Sequence, residues 1–179
     1  MKSFFSLLIL FSFAAFSCKK TTSPNDENEH EAINKVVLTF SLPGGAAQTF
    51  LAEDPDGDGG NPPIRVDTIR LVKNQSYTVS FQVFNVVSGV EKNITPTIIA
   101  QGRSHEVFFI PSGVALSITK TDRDLSGFPI GVSSTWQTSG PANGQVLVKL
   151  MHKTGIKGPN DSPDKGHSDL ELPMPVRIE

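Results

Sequence analysis

Seven residues of this chain have the types and placement that chemistry can use: Cys18; Asp54, Asp56 and Asp58; and His105, His152 and His167. The stretch 52–63 reads AEDPDGDGGNPP, and its three aspartates followed by Gly59 match the first half of an EF-hand calcium loop. Oxygen ligands at alternate positions let one turn wrap a hard cation. The second half departs from the motif, because the twelfth position, where a bidentate glutamate belongs, is Arg65. A calcium ion there draws its remaining ligands from Glu53, Asn61 or Asp67. Without an ion the same letters make a solvated acidic turn, which Asp-Gly and Asn-Pro favour unaided.

The histidines have no local metal spacing. Neither H-x-H nor H-E-x-x-H occurs, so a transition-metal site needs the fold itself to gather the ligands. His105 opens a candidate strand beside Glu106, and His152 closes another. His167 lies in the long connection 153–169 with Asp161, Asp164 and Asp169. His30 falls in a polar leader and is set aside. The bland alternative is a set of hydrogen-bonded histidines at strand ends. Convergence of His105, His152 and a carboxylate within bonding distance is the condition that reopens an enzyme. No G-x-S-x-G elbow, Walker loop or dinucleotide fingerprint is present, and the sequence reading is therefore non-enzymatic. In Ser104-His105-Glu106, neighbouring strand residues face opposite ways, so serine and histidine do not make a nucleophile–base pair.

Cys18 is the single cysteine, and it follows a short apolar run, FFSLLILFSFAAF at 4–16, preceded by Lys2. A basic start, an apolar middle and small residues near the cut describe a secretory signal. Thirteen residues rise only about 20 Å as a helix, short of a hydrocarbon core of roughly 30 Å. Ala15 and Ser17 supply the small side chains of a lipobox ending at Cys18, although Ala15 and Phe16 stand where leucine and a small residue are usual. Residues 1–17 are thus expected to leave, and Cys18 to carry palmitate-type acyl chains. Each buried methylene contributes about 0.8 kcal/mol, so several chains together hold a protein at a membrane. Residues 18–34, almost devoid of apolar side chains, read as a flexible tether spanning about 20–25 Å. This places the protein at the outer membrane of the cell envelope, facing periplasm or exterior.

Loss of Lys2 with the signal leaves 15 basic against 18 acidic residues, a net charge of −3. No basic patch offers itself to nucleic acid. With Cys18 lipidated no thiol remains, which removes disulfides and cysteine-ligated zinc together. Partners are then the membrane, through the lipid, and a protein or glycan held by the loops 51–65 and 153–169.

The elements that must position these residues are strands. Val36, Leu38, Phe40 and Leu42 alternate with polar or smaller residues, as do Tyr77, Val79, Phe81 and Val83. Period-two alternation marks half-buried strands. Phe84 breaks phase, which predicts a bulge or an end there. Further strands are predicted at 48–52, 65–72, 95–101, 106–110, 115–119, 130–138, 145–151 and 170–178. The last contains Pro173 and Pro175, whose missing N–H groups lie on one side, so an edge position is expected. Trp136 is either a core plug or a surface aromatic. No window shows sustained helical periodicity. Ten or so short strands, with 15 glycines and 13 prolines, predict an all-β antiparallel Greek-key, immunoglobulin-like sandwich over 35–179, a small barrel being the alternative.

DPDGDGGNPP leading to VDTIRL, then NQSYTVSFQVFN, HEVFFIP, ITKTDRD, VLVKLMHKTGIKG and LPMPVRIE, together with the lipobox-like Cys18, run the length of the mature chain. In these the chain resembles the small, little-characterised β-sandwich lipoproteins of Bacteroidota. The resemblance implies a lipid-anchored sandwich and carries no activity. Some relatives bear a type 1 periplasmic-binding fold label, which needs repeated βα units and a much longer chain.

Overall fold

A computed structural model describes residues 33–57 and 60–179. The expected signal peptide, the lipidated Cys18, the tether up to residue 32 and Asp58 lie outside the described residues. Eleven strands and one helix follow in chain order: β1 (Lys35–Ser41), β2 (Gln48–Glu53), β3 (Arg65–Val66), β4 (Ile69–Leu71), β5 (Ser76–Val87), β6 (Val90–Asn93), α1 (Thr95–Ala100), β7 (His105–Ser112), β8 (Leu116–Lys120), β9 (Ser133–Thr138), β10 (Ala142–His152) and β11 (His167–Ile178). One sheet runs β3–β2–β1–β5–β9–β8, with β6 added onto β5, and the other runs β4–β11–β10–β7. Neighbours are antiparallel except β11 and β4, which pair in parallel from Val176↔Ile69 to Ile178↔Leu71. Among the described residues no helix is long and apolar enough to cross a membrane.

The two sheets share one core. Alternation puts Leu38, Phe40, Val79 and Phe81 inside from the first sheet, and Val107, Val148, Leu150, Met174 and Val176 inside from the second. Aromatic rings stitch the sheets: Phe81 meets Phe109 at 6.2 Å between centroids, and Phe109 meets Trp136 at 5.1 Å, both edge-on. Such pairs add about 0.5–1.5 kcal/mol beyond the area they bury. Trp136 is the core plug, fully buried, with its Nε1–H donated to Ser134 Oγ at 2.9 Å. The result is an all-β, sandwich-like fold.

Four local expectations are corrected. Residues 95–101 form the helix α1, not a strand. Pro96 cannot donate to a sheet ladder but suits a first helical turn, and Asn93 Oδ1 accepts the Thr95 N–H at 2.9 Å. The predicted strand 65–72 divides between the two sheets as β3 and β4. β5 continues past Phe84 to Val87, because β6, whose side chains are all exposed, returns beside it as a hairpin. β11 is not an edge, since β4 flanks it. That pairing begins at Val176, beyond both prolines, so at Pro173 and Pro175 no ladder on that side asks for an N–H.

The second sheet has two edges, the short β4 and the longer β7. The Val107 N–H of β7, pointing away from β10, is accepted by Ile130 O at 2.7 Å. The approach needs Gly131, at φ +90°, where a Cβ would lie 2.6 Å from Val107 O. Pro111, on the same lateral side, has no N–H.

Candidate metal centre

Three histidines separated widely in sequence come to one end of the second sheet. β10 lies between β7 and β11, with His152 directly opposite His105 on one side and His167 on the other. Directly opposed residues share a face of a sheet, so register alone aligns the three. The His105 and His152 rings lie 4.6 Å apart between centroids, tilted by 31°. His105 is buried, His152 half-buried and His167 exposed.

A carboxylate joins them through a bulge. Leu150 pairs with Leu170 and Met151 with Ser168, so the β11 register steps over Asp169. Such an extra residue re-aims a side chain. Asp169 Oδ2 stands 3.5 Å from His105 Nε2. One donor atom from each of His105, His152 and Asp169 falls within 4.8 Å of the others, the one group of three or more such ligands among the described residues.

The proton positions follow from the neighbours. His105 Nδ1 lies 3.2 Å from Gln101 O, a carbonyl that can only accept. Nδ1 therefore donates there, which turns Nε2 toward Asp169. Burial holds His105 below the ordinary histidine range, outweighing the Gln101 hydrogen bond and the Asp169 charge that favour the cation. His152 Nε2 is 2.6 Å from Thr154 Oγ1, which fixes that ring in turn.

The opposite face of the same strands carries the groups that hold this corner still. Glu106 and Lys153, each one residue on from a site histidine, point outward yet are covered. Lys153 Nζ donates to Glu106 Oε2 at 3.2 Å and to Ser162 O at 2.9 Å, with Asp161 Oδ2 3.6 Å away. Lys120 Nζ reaches Glu106 Oε1 at 2.6 Å, and both ammonium groups lie over the Phe108 ring, 4.3 Å (Lys153) and 3.6 Å (Lys120) from its centroid. Burial lowers the Lys120 pKa, against the pull of Glu106. Lys157 spends all three protons, donating to Gly102 O, His105 O and Asp124 Oδ2 at 2.6, 3.0 and 2.9 Å. The loop 153–166 is thereby locked over β7, and the backbone of His105 is fixed by the same ammonium.

The acidic turn looks different. Asp56 Oδ2 accepts from Asn61 through both its side-chain and backbone N–H groups, at 2.8 and 3.3 Å. These bonds from Asn61, with a further one involving Asp54, hold the Asp56 carboxyl below its usual range. Asp67, weighed as an extra calcium ligand, instead accepts from Arg65 Nε at 3.0 Å and from the Leu51 N–H at 3.0 Å. Asp54 and Asp56 therefore sit in an internally bonded turn, with Asp58 outside the described residues.

Of the residues singled out from the sequence, the fold joins His105 to His152, sets His167 alongside, and adds Asp169, which the sequence offered only as one acid of a long connection. That connection is shorter than expected, because β11 starts at His167. No protein family, curated protein or solved structure matches this chain.

Proposed function

We propose that this chain is a lipid-anchored protein of the bacterial cell envelope whose β-sandwich binds a divalent transition-metal ion of the zinc class at His105, His152 and Asp169, without catalysing a reaction. One observation carries the metal reading. His105 Nε2 and Asp169 Oδ2 face each other at 3.5 Å, and one ligand atom from each of these residues and from His152 lies within 4.8 Å of the others. A shared cation suits two imidazoles and a carboxylate gathered this closely, with one imidazole buried. Bonds of about 2.0–2.1 Å to a tetrahedral ion set neighbouring ligands about 3.3 Å apart, close to the spacing of His105 and Asp169. Two imidazoles and a carboxylate suit zinc-class ions better than calcium, which prefers six to eight oxygens.

Equilibrium dialysis of the purified protein against Zn²⁺ tests this. One ion per chain is expected, falling below detection when His105 and His152 are both replaced by alanine. Failure of the unaltered protein to retain zinc overturns the reading. Calcium at Asp54, Asp56 and Asp58 is the second reading. It rests on the D-x-D-x-D-G pattern, and thermal melts with calcium and with chelator test it.

The address rests on Cys18 after its apolar run, and on the resemblance to Bacteroidota lipoproteins. Mass spectrometry of the native product is expected to find Cys18 acylated and residues 1–17 gone. We also read the sandwich as Greek-key and immunoglobulin-like. Supporting this, the chain crosses between sheets on either side of β4, before and after β7, and from β9 to β10.

A further inference from the structure

We infer that His167 is a fourth protein ligand, turning from its exposed position onto the ion held by His105, His152 and Asp169 and closing the site against solvent. The inference rests on the metal reading above and deepens it.

Three observations carry it. First, His167 is directly opposite His152, which is directly opposite His105, on three adjacent strands. Opposed residues have Cβ atoms only about 4.5–5.5 Å apart, so His152 sits between two imidazoles, each within reach of a shared ion. Second, the His167 backbone is already placed. Gly166, at φ +101°, brings the chain so close to β10 that a Cβ there would fall against the His152 carbonyl oxygen. Only side-chain torsions remain to be set, and exposed side chains change rotamer in picoseconds to nanoseconds. Third, the His167 ring makes no hydrogen bond or ion pair among the described residues, so its movement breaks nothing.

The chemistry of the donor set asks for such a group. Two histidines and one carboxylate leave one position of a tetrahedron open, as catalytic zinc sites do, whereas structural sites fill all four from the protein. A fourth imidazole would make the site a closed one, fitted to holding an ion rather than activating a water on it. His152 immediately precedes the loop 153–166 and His167 immediately follows it. One ion bound to both therefore pins the two ends of that loop together.

Co²⁺ is the probe, because its visible absorption is intense when four-coordinate and weak when water raises the coordination number. The unaltered protein is expected to bind one Co²⁺ with the intense spectrum. His167→Ala is expected to bind one Co²⁺ at least about tenfold more weakly, since even groups that merely orient a ligand are worth 10–100-fold. Its spectrum should be weak, and added imidazole should restore it. In a second readout, Co²⁺ should slow proteolysis within the loop 153–166 in the unaltered protein and not in His167→Ala. An unchanged affinity and spectrum in His167→Ala overturns this inference while leaving the three-ligand site standing. Absence of Co²⁺ binding by the unaltered protein overturns both.

Discussion

The acidic turn and the histidine corner are the two places in this molecule where a cation was conceivable, and they invert the usual relation between motif and site. The turn has its candidate ligands two residues apart, in a recognisable pattern, yet Asp56 is bonded to Asn61 and Asp67 to Arg65. The corner has no pattern at all, yet strand register brings together residues 47 and 17 positions apart to within 4.8 Å. Contiguous ligands can satisfy one another as a turn. Ligands borne on separate strands cannot, because each is held by its own ladder, and what they face is set by the sheet. Rigidity at the corner comes from behind, through Glu106, Lys153 and Lys157, while the turn depends on its own loop.

That contrast makes graded demands on experiment. The largest effect should come from the support of the corner. Lys153→Ala leaves Glu106 buried beside Lys120 alone, and breaking a buried ion pair costs about 3–5 kcal/mol. Chemical denaturation should show this loss, and Lys153→Met, which keeps the packing against Phe108, should lose less. Next comes the ion itself. With Zn²⁺ at about 100 times its Kd, linkage predicts about 2.7 kcal/mol of added stability, or a rise in melting midpoint of about 5–10 °C for a domain this size. The rise should vanish in the His105→Ala, His152→Ala double variant and persist when Asp54 and Asp56 are both replaced by asparagine.

Acid should act on the corner more than on the turn. Although burial pushes the Asp124 carboxyl up, Lys157 and the Phe128 and Ser126 N–H groups outweigh it and hold it below its usual range. Its unfolded value is near 3.9. The contribution is therefore complete above about pH 4 and is lost as pH falls through the lower folded value. Urea midpoints taken across that range should fall more steeply in the unaltered protein than in Asp124→Asn. Asp161, half-buried and, against the upward push of burial, held low by Lys165, the Gly158 N–H and Lys153, should add to the same loss. The smallest effect belongs to the exposed turn, where Asp56→Asn should leave the melting midpoint unmoved. A calcium-dependent shift that this substitution abolishes would reverse the ranking of the two regions.

The long strands were legible because period two survives where one face is buried: β1, β5, β10 and β11 all show it. α1 was not, being too short for its 3.6-residue period to declare itself. Asn93, whose side chain accepts the Thr95 N–H, and Pro96 were the available signals. β6 escaped because VEKN buries nothing on either face. At the corner, His105 and His152 could be named as strand-end residues, and their meeting stated as a condition. Their actual approach depends on register, and the aim of Asp169 depends on a one-residue bulge. Neither is encoded in local composition. The strand-facing prolines misled for a related reason: Pro173 and Pro175 do forbid pairing on one side, but β4 begins where they stop.

The border of β7 has a consequence for how this protein keeps company. The segment Val107–Ile110 reads Val-Phe-Phe-Ile, the sort of stretch that templates cross-β stacking when its flank is bare. Of the four positions that face outward along that flank, His105 and Val107 have given their protons to Gly102 and Ile130 and Pro111 has none to give, which leaves, among the described residues, Phe109 alone. A stranger's strand would find one rung where it needs several. Gly131 and Pro111 thus act as guards of colloidal solubility, and a side chain at position 131 would open the flank to self-association.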